Sequence, residues 1–255
     1  MQITRGIKLL VLVSMVSIVA SMFVGCAGNT SELVMGTNAE FPPFEYIGDD
    51  GQPDGFDVAL VKEIARRMNV GVKIENMEFK SLIGSLANGK IDLIAAGMTV
   101  TEERKKEVDF SKTYFTANQM IIIPVGSEIN SALDLKGMVV GVQEGTTGDI
   151  IVSEEDVDEK EYDVKEVKRY KKGIDAVMDL INGRVEAVVI DSNPAAEYVK
   201  SNEGKIVAIE SGMEPEEYAI AVKKGNTKLL EKIDKALTEI KQDGTYDKLI
   251  KQYIQ

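Results

Sequence analysis

Gly97-Met98-Thr99-Val100-Thr101-Glu102-Glu103-Arg104 follows an apolar run at 91–95 that reads as a buried strand. Thr101 is a good N-cap, with Glu102 and Glu103 in the first turn of a helix predicted to run through Glu107. A buried strand feeding directly into a helix start is the unit of an α/β sheet with crossover helices. Such a start also offers free N–H groups and a favourable dipole to a carboxylate, and Arg104 adds a bidentate clamp. Alone, an arginine in a first helical turn is usually a surface residue, so the reading depends on the rest of the chain.

Upstream, the same alternation holds: a strand at 33–35, a helix at 56–68, a strand at 70–74 and a helix at 81–87. In the 56–68 helix, Val58, Val61, Ile64, Ala65 and Met68 share one face, with Asp57 near its start. Downstream lie an apolar strand at 118–124 and then a second set: strand 138–142, a helix opening near Thr147, and strand 163–167. Helix 174–181, strand 185–190, a helix after Pro194, and strands at 205–209 and 218–222 follow. Helices at 228–241 and 246–253 end the chain. Two similar α/β sets predict two lobes, each a mostly parallel sheet flanked by helices.

Composition narrows the chemistry. A chain of 255 residues predicts one or two domains, and 44% apolar with 28% charged residues is the balance of a globular protein. With no histidine, Ser-His-Asp and Cys-His catalysis and His-containing zinc sites are excluded; one cysteine makes no internal disulfide. A formal charge of -12 argues against nucleic-acid binding, which needs clustered Lys and Arg.

The first segment reads as export machinery, not fold. Arg5 and Lys8 precede an uncharged, almost wholly apolar run at 9–24, which is short for a membrane span. Phe23-Val24-Gly25-Cys26 resembles a bacterial lipobox, in which the cysteine thiol is acylated and becomes the first residue of the mature chain. Residues 1–25 are then the signal peptide and 26–32 a polar tether, and loss of Arg5 and Lys8 leaves a mature charge of -14. A soluble secreted protein cleaved nearby would instead leave Cys26 as a free thiol.

Other motifs divide into bland and informative. Gly84 to Lys90 has phosphate-loop spacing, but Ile91 stands where Ser or Thr should hold magnesium, and Gly89 reads better as a helix C-cap. The mixed-charge run at 154–172 reads as a solvated face, with a docking surface as the alternative. Phe41-Pro42-Pro43-Phe44-Glu45-Tyr46 follows a strand and holds an aromatic on a stiff loop at a sheet edge. Gly145-Thr146-Thr147-Gly148 is a second anion-friendly loop into a helix. Asp191 ends a buried strand, where an ionised acid survives only if a cation or donors meet it.

Together, Phe41-Pro-Pro-Phe-Glu-Tyr, Gly55-Phe-Asp-Val, Gly97-Met-Thr-Val-Thr-Glu-Glu-Arg-Lys, Asp109-Phe-Ser and Gly145-Thr-Thr-Gly resemble, in order, the solute-binding proteins of bacterial ABC importers for polar amino acids. The resemblance covers the chain from Leu33 to Tyr253 and implies the two-lobed type II periplasmic-binding-protein fold. By position, the first lobe is 31–115 plus 219–255, the second is 120–215, and the hinge crossings are 116–119 and 216–218. The resemblance makes Arg104, with Thr99, the partner of the ligand α-carboxylate. Asp191, with Gly97 and Thr99, takes the α-ammonium, and Thr147 is a second-lobe donor to the carboxylate. Phe41 and Phe79 sandwich the side chain, and Asn38, Met98, Gln143 and Thr146 complete the expected site. A zwitterion needs one fixed cation and one fixed anion, and each lobe supplies one.

What this implies is a monomeric, cofactor-free receptor, exported and anchored by lipid to the outer face of the cell membrane. It would deliver a free L-amino acid to permease subunits driven by a cytoplasmic ATPase. Two phenylalanines suit a guanidinium, and Gln143 before the Gly-Thr-Thr loop resembles arginine binders. Asn38 stands where many relatives carry Asp, which leaves glutamine or another polar amino acid as an alternative. An enzyme on the same fold, a cyclohexadienyl dehydratase using Glu40 or Glu144 as its acid, is the alternative from another class.

Overall fold

A computed structural model describes residues 32–154 and 161–255. The signal region 1–25, Cys26 and all of the 26–32 tether but Glu32 lie outside the described residues. So do residues 155–160 of the mixed-charge run.

In chain order, β1 (Glu32–Thr37) leads through β2 (Glu40–Phe41), β3 (Glu45–Ile47) and β4 (Pro53–Asp54) to α1 (Phe56–Met68) and β5 (Gly71–Asn76). A 3-10 turn (Phe79–Ser81) runs into α2 (Leu82–Ala87), followed by β6 (Leu93–Ile94), α3 (Glu102–Glu107) and β7 (Val108–Phe110). β8 (Phe115–Ala117) and β9 (Gln119–Pro124) carry the chain into the second set. There β10 (Val139–Gln143), α4 (Thr147–Ser153), β11 (Glu166–Tyr170), α5 (Gly173–Ile181), β12 (Ala187–Asp191), α6 (Ser192–Ser201) and β13 (Ile206–Glu210) alternate. β14 (Glu216–Tyr218) returns the chain to β15 (Ala221–Lys223), α7 (Thr227–Gln242) and α8 (Thr245–Tyr253).

Two five-stranded sheets result, ordered β5-β1-β6-β15-β7 and β11-β10-β12-β9-β13. In each, one strand runs against the other four, and it is the strand delivered from the other set: β15 after β14, and β9 after β8. The α/β two-lobed architecture expected from the sequence is therefore present, with both sheets mostly parallel. β8 and β14 pair with each other, antiparallel, so both passages between the lobes lie side by side.

Local chemistry explains the elements. α1 buries Val58, Leu60, Val61, Ile64 and Ala65 and stops at Asn69, whose φ of 54° no helix continues through. Gly55 must be glycine: at φ 124°, a Cβ would lie 2.3 Å from the Phe44 carbonyl oxygen. Asp57 is not a solvated first-turn acid but is fully buried.

Departures from the sequence reading have physical causes. The strand expected at 163–167 forms at Glu166–Tyr170, an edge strand with exposed faces and hence weak hydrophobic alternation. The strand expected at 91–95 pairs only over Leu93–Ile94, and the run at 218–222 is two strands belonging to different sheets. The Phe41-Pro-Pro loop is part of a small sheet, β2-β3-β4. The mixed-charge run is not merely a solvated face, because Lys171 and Lys172 pair at 2.6 Å with Glu78 and Glu40 of the first lobe.

Candidate functional site

The ends of the parallel strands converge, where open α/β sheets place their ligands. Asn38 after β1, Gly97 and Thr99 after β6, Gln143 closing β10 and Asp191 closing β12 line one cavity. Phe41, Glu45, Phe79, Ala96, Arg104, Thr146 and Thr147 complete its wall. Of the expected site residues, only Met98 is not on it. Its neighbours Gly97 and Thr99 face the cavity, so Met98 turns into the apolar cluster of Leu82, Leu86 and Ile94.

Arg104 is held from three sides. Thr101 caps α3 by accepting the Arg104 backbone N–H at 3.1 Å, as its position before the helix predicts. The guanidinium donates from Nη1 to the Thr99 carbonyl at 2.8 Å and from Nη2 across the cleft to the Gly145 carbonyl at 3.0 Å. It also sits 5.4 Å from the centre of the Phe79 ring. Burial pulls its pKa down, opposed by the negative charges of Glu216 and Asp191. An arginine so placed remains cationic, with further N–H groups left for an anion.

Asp191 is the opposite pole. Its Oδ1 accepts from Gln119 Nε2 at 3.0 Å and from the Tyr218 hydroxyl at 2.7 Å. Burial, then the charge of Glu216, pushes its pKa up to about 7. Glu216 was invisible as a site residue in the sequence, yet its Oε2 accepts the hydroxyls of both Thr99 and Thr147, each at 2.6 Å. The Thr147 hydroxyl is thus committed to a carboxylate, and a donor role for Thr147 toward a ligand anion falls to its backbone N–H at the start of α4.

A second buried acid stands on the cavity wall. Glu45 is fully buried there; no N–H or hydroxyl among the described residues reaches its carboxyl, which shares a side-chain hydrogen bond with the neighbouring acid Asp57. Burial, followed by the nearby charge of Asp57, raises its pKa well above the carboxylate range. Asp57 itself accepts the Gly97 N–H at 2.9 Å and the Tyr114 hydroxyl at 2.6 Å, and burial lifts it to about 6. Phe41 closes the floor against Gly97, where a Cβ would meet its ring at 3.0 Å. Gln143 donates to Asn38 Oδ1 across the lobes at 2.8 Å, and Thr146 caps α4. At the rim, Lys80 pairs with Glu144 at 2.6 Å, beside the two pairs of Lys171 and Lys172.

The family model for bacterial extracellular solute-binding proteins, family 3, matches residues 33–255. The chain belongs to that family. Within family 3 it is 38% identical over 233 residues to the arginine-binding extracellular protein ArtP of Bacillus subtilis, covering 90% of this chain and 88% of that one. An ancestral arginine-binding protein solved with arginine superimposes with a TM-score of 0.83 at 44% identity, covering 88% of this chain and 99% of the other. The same ancestral type solved with glutamine gives 0.82 at 44% identity, with coverage of 88% and 98%. An ancestral amino acid-binding protein described as a precursor of cyclohexadienyl dehydratase gives 0.80 at 34% identity, with coverage of 88% and 96%.

Proposed function

We propose that this chain is the extracytoplasmic solute-binding component of an ABC importer. It takes a free L-amino acid with a basic side chain, arginine foremost, between its lobes and passes it to the permease. Arg104 receives the α-carboxylate and Asp191 the α-ammonium. The observation that carries the basic preference is Glu45: a buried acid whose hydrogen-bond partner is a second acid, Asp57, on a cavity wall shared with Phe41 and Phe79. A carboxylate there with no cation beside it is costly, and a guanidinium both neutralises it and stacks on the rings. The ligand supplies the missing partner at each pole, so it favours the closed arrangement.

Closure runs about the paired strands β8 and β14, with residues 31–115 plus 219–255 moving against 120–215 and the hinge at 116–119 and 216–218. The protein is anchored outside the membrane through acylated Cys26. It turns nothing over. Glu144 is held below the usual carboxylate range by its hydrogen bond to Lys80, which suits no general acid, and Glu40 is tied to Lys172. A dehydratase would need Glu45 as its acid, and assay of prephenate and arogenate separates that reading from binding.

A thermal-shift screen of the twenty amino acids plus ornithine and cystine tests the assignment. Ligand at about one hundred times its dissociation constant adds about 2.7 kcal/mol of stability. The largest shift is expected for L-arginine. A largest shift for an acidic or aliphatic amino acid contradicts the basic preference, and no shift for any contradicts the function.

A further inference from the structure

We infer that Glu216, on the strand that crosses between the lobes, is a positioning residue that makes closure conditional on a ligand ammonium group. The inference rests on the amino-acid reading of the site but not on the identity of the side chain.

β14 is tied to the first lobe by main-chain bonds: Val100 N–H donates to the Glu217 carbonyl at 2.9 Å, and Ala219 N–H to the Met98 carbonyl at 3.1 Å. Glu216 and Tyr218 stand two residues apart on this strand and therefore on one face. Both reach the ligand-site groups. Tyr218 holds Asp191 of the second lobe, and Glu216 gathers one hydroxyl from each lobe, Thr99 and Thr147, on a single oxygen.

That gathering fixes which way the hydroxyls point. A carboxylate only accepts, so both protons are directed at Glu216; Thr147 Oγ1 also accepts from Gln119 Nε2 at 3.4 Å, and the lone pairs that remain on the two oxygens are left for a ligand. Thr99, Thr147 and Asp191 all line the cavity. Together they form an acceptor-only patch, matched to an ammonium and hostile to a carboxylate. Closing the lobes without an ammonium leaves Asp191 and Glu216 as neighbouring buried acids, two negative charges against the one positive charge of the Arg104 guanidinium. An ammonium supplies the second positive charge, so the empty protein resists the closed form.

A glutamine at 216 would keep the shape but bring N–H donors to the two threonines. At least one hydroxyl would then turn its proton toward the cavity, against the ammonium. The test is calorimetric titration of wild type, Glu216→Gln and the neighbouring control Glu217→Gln with L-arginine and with 5-guanidinopentanoate, the same molecule without its α-ammonium. Wild type should prefer arginine by about a hundredfold or more. Glu216→Gln should shrink that ratio by about tenfold, mainly through weaker arginine binding, while Glu217→Gln leaves it unchanged. An unchanged ratio in folded Glu216→Gln, whatever its melting temperature, overturns the inference. Should that variant not fold, Glu216→Asp withdraws the carboxylate by one methylene, and its ratio must fall in the same direction. Failure of wild type to bind arginine overturns the basic-side-chain reading alone. The comparison then runs on L-glutamine and its deaminated counterpart, because the α-ammonium is common to both.

Discussion

Tyr218 donates its hydroxyl proton to Asp191 Oδ1 at 2.7 Å, which ties a crossing strand to the acid that closes β12. Even with that bond, burial and then the charge of Glu216 hold Asp191 at about 7, against 3.8 for an ordinary aspartate. Between those values the folded protein keeps a proton that the unfolded chain has released. The stability from this group is complete below about pH 4 and is lost as pH rises toward 7, and Asp57, at about 6, adds in the same direction. Asp191→Asn cannot ionise. The penalty belongs to the closed arrangement, so small-angle scattering without amino acid should show Asp191→Asn with a smaller radius of gyration than wild type at pH 8 and level with it below pH 4. A radius equal to that of wild type at pH 8 would contradict this reading.

Glu45→Gln should separate basic from neutral ligands. Arginine would lose the charge that pairs its guanidinium, costing about 2–3 kcal/mol and so about thirty- to two-hundredfold in Kd, while L-glutamine binding changes little. Burial, and then the charge of Asp57, raises the Glu45 pKa, and a guanidinium beside it acts in the opposite direction, so arginine binding is expected to be linked to proton release. Titrations of arginine into wild type in phosphate and in Tris should therefore give different apparent enthalpies, and arginine affinity should fall as pH falls. Identical enthalpies in both buffers would remove Glu45 from the side-chain subsite.

Lobe closure predicts a smaller radius of gyration on binding, read by small-angle scattering with and without saturating L-arginine. The three rim ion pairs of Lys80, Lys171 and Lys172 are largely exposed, so solvent and salt screen them. Replacing any one lysine by methionine should leave affinity within about fivefold of wild type. An unchanged scattering profile at saturation would replace the hinge with a preformed pocket.

The legible and illegible parts of the site differ in a physical way. Thr101 as the cap of α3 and the loop into a helix at 145–148 were readable because capping is local, whereas Arg104, Thr146 and Thr147 entered the site through the family resemblance. Asp191 was readable as an acid at the end of an apolar strand. Glu45 and Glu216 were not, because an acid beside tyrosine or proline reads as surface. They become site residues only through long-range pairing, of β2 with β3 and of β14 with β8 and the 98–100 segment. Met98 failed for the converse reason. Strand alternation turns it into the core between two residues that do line the cavity.

Acylation of Cys26 is checked by feeding labelled fatty acid to cells expressing wild type or Cys26→Ser. Label is expected in the first and not in the second, with wild type partitioning into membranes. Wild type found wholly in the medium and unlabelled would remove the anchor.

The zwitterion pair is the centre of the proposal, and calorimetric titration of L-arginine into wild type, Arg104→Ala and Asp191→Ala tests it most directly. Removing one side of a buried pair costs about 3–5 kcal/mol, or about a few hundred- to a few thousand-fold in Kd. Loss of that size is expected in both variants with their folds intact. Near-wild-type affinity in either one would contradict the site.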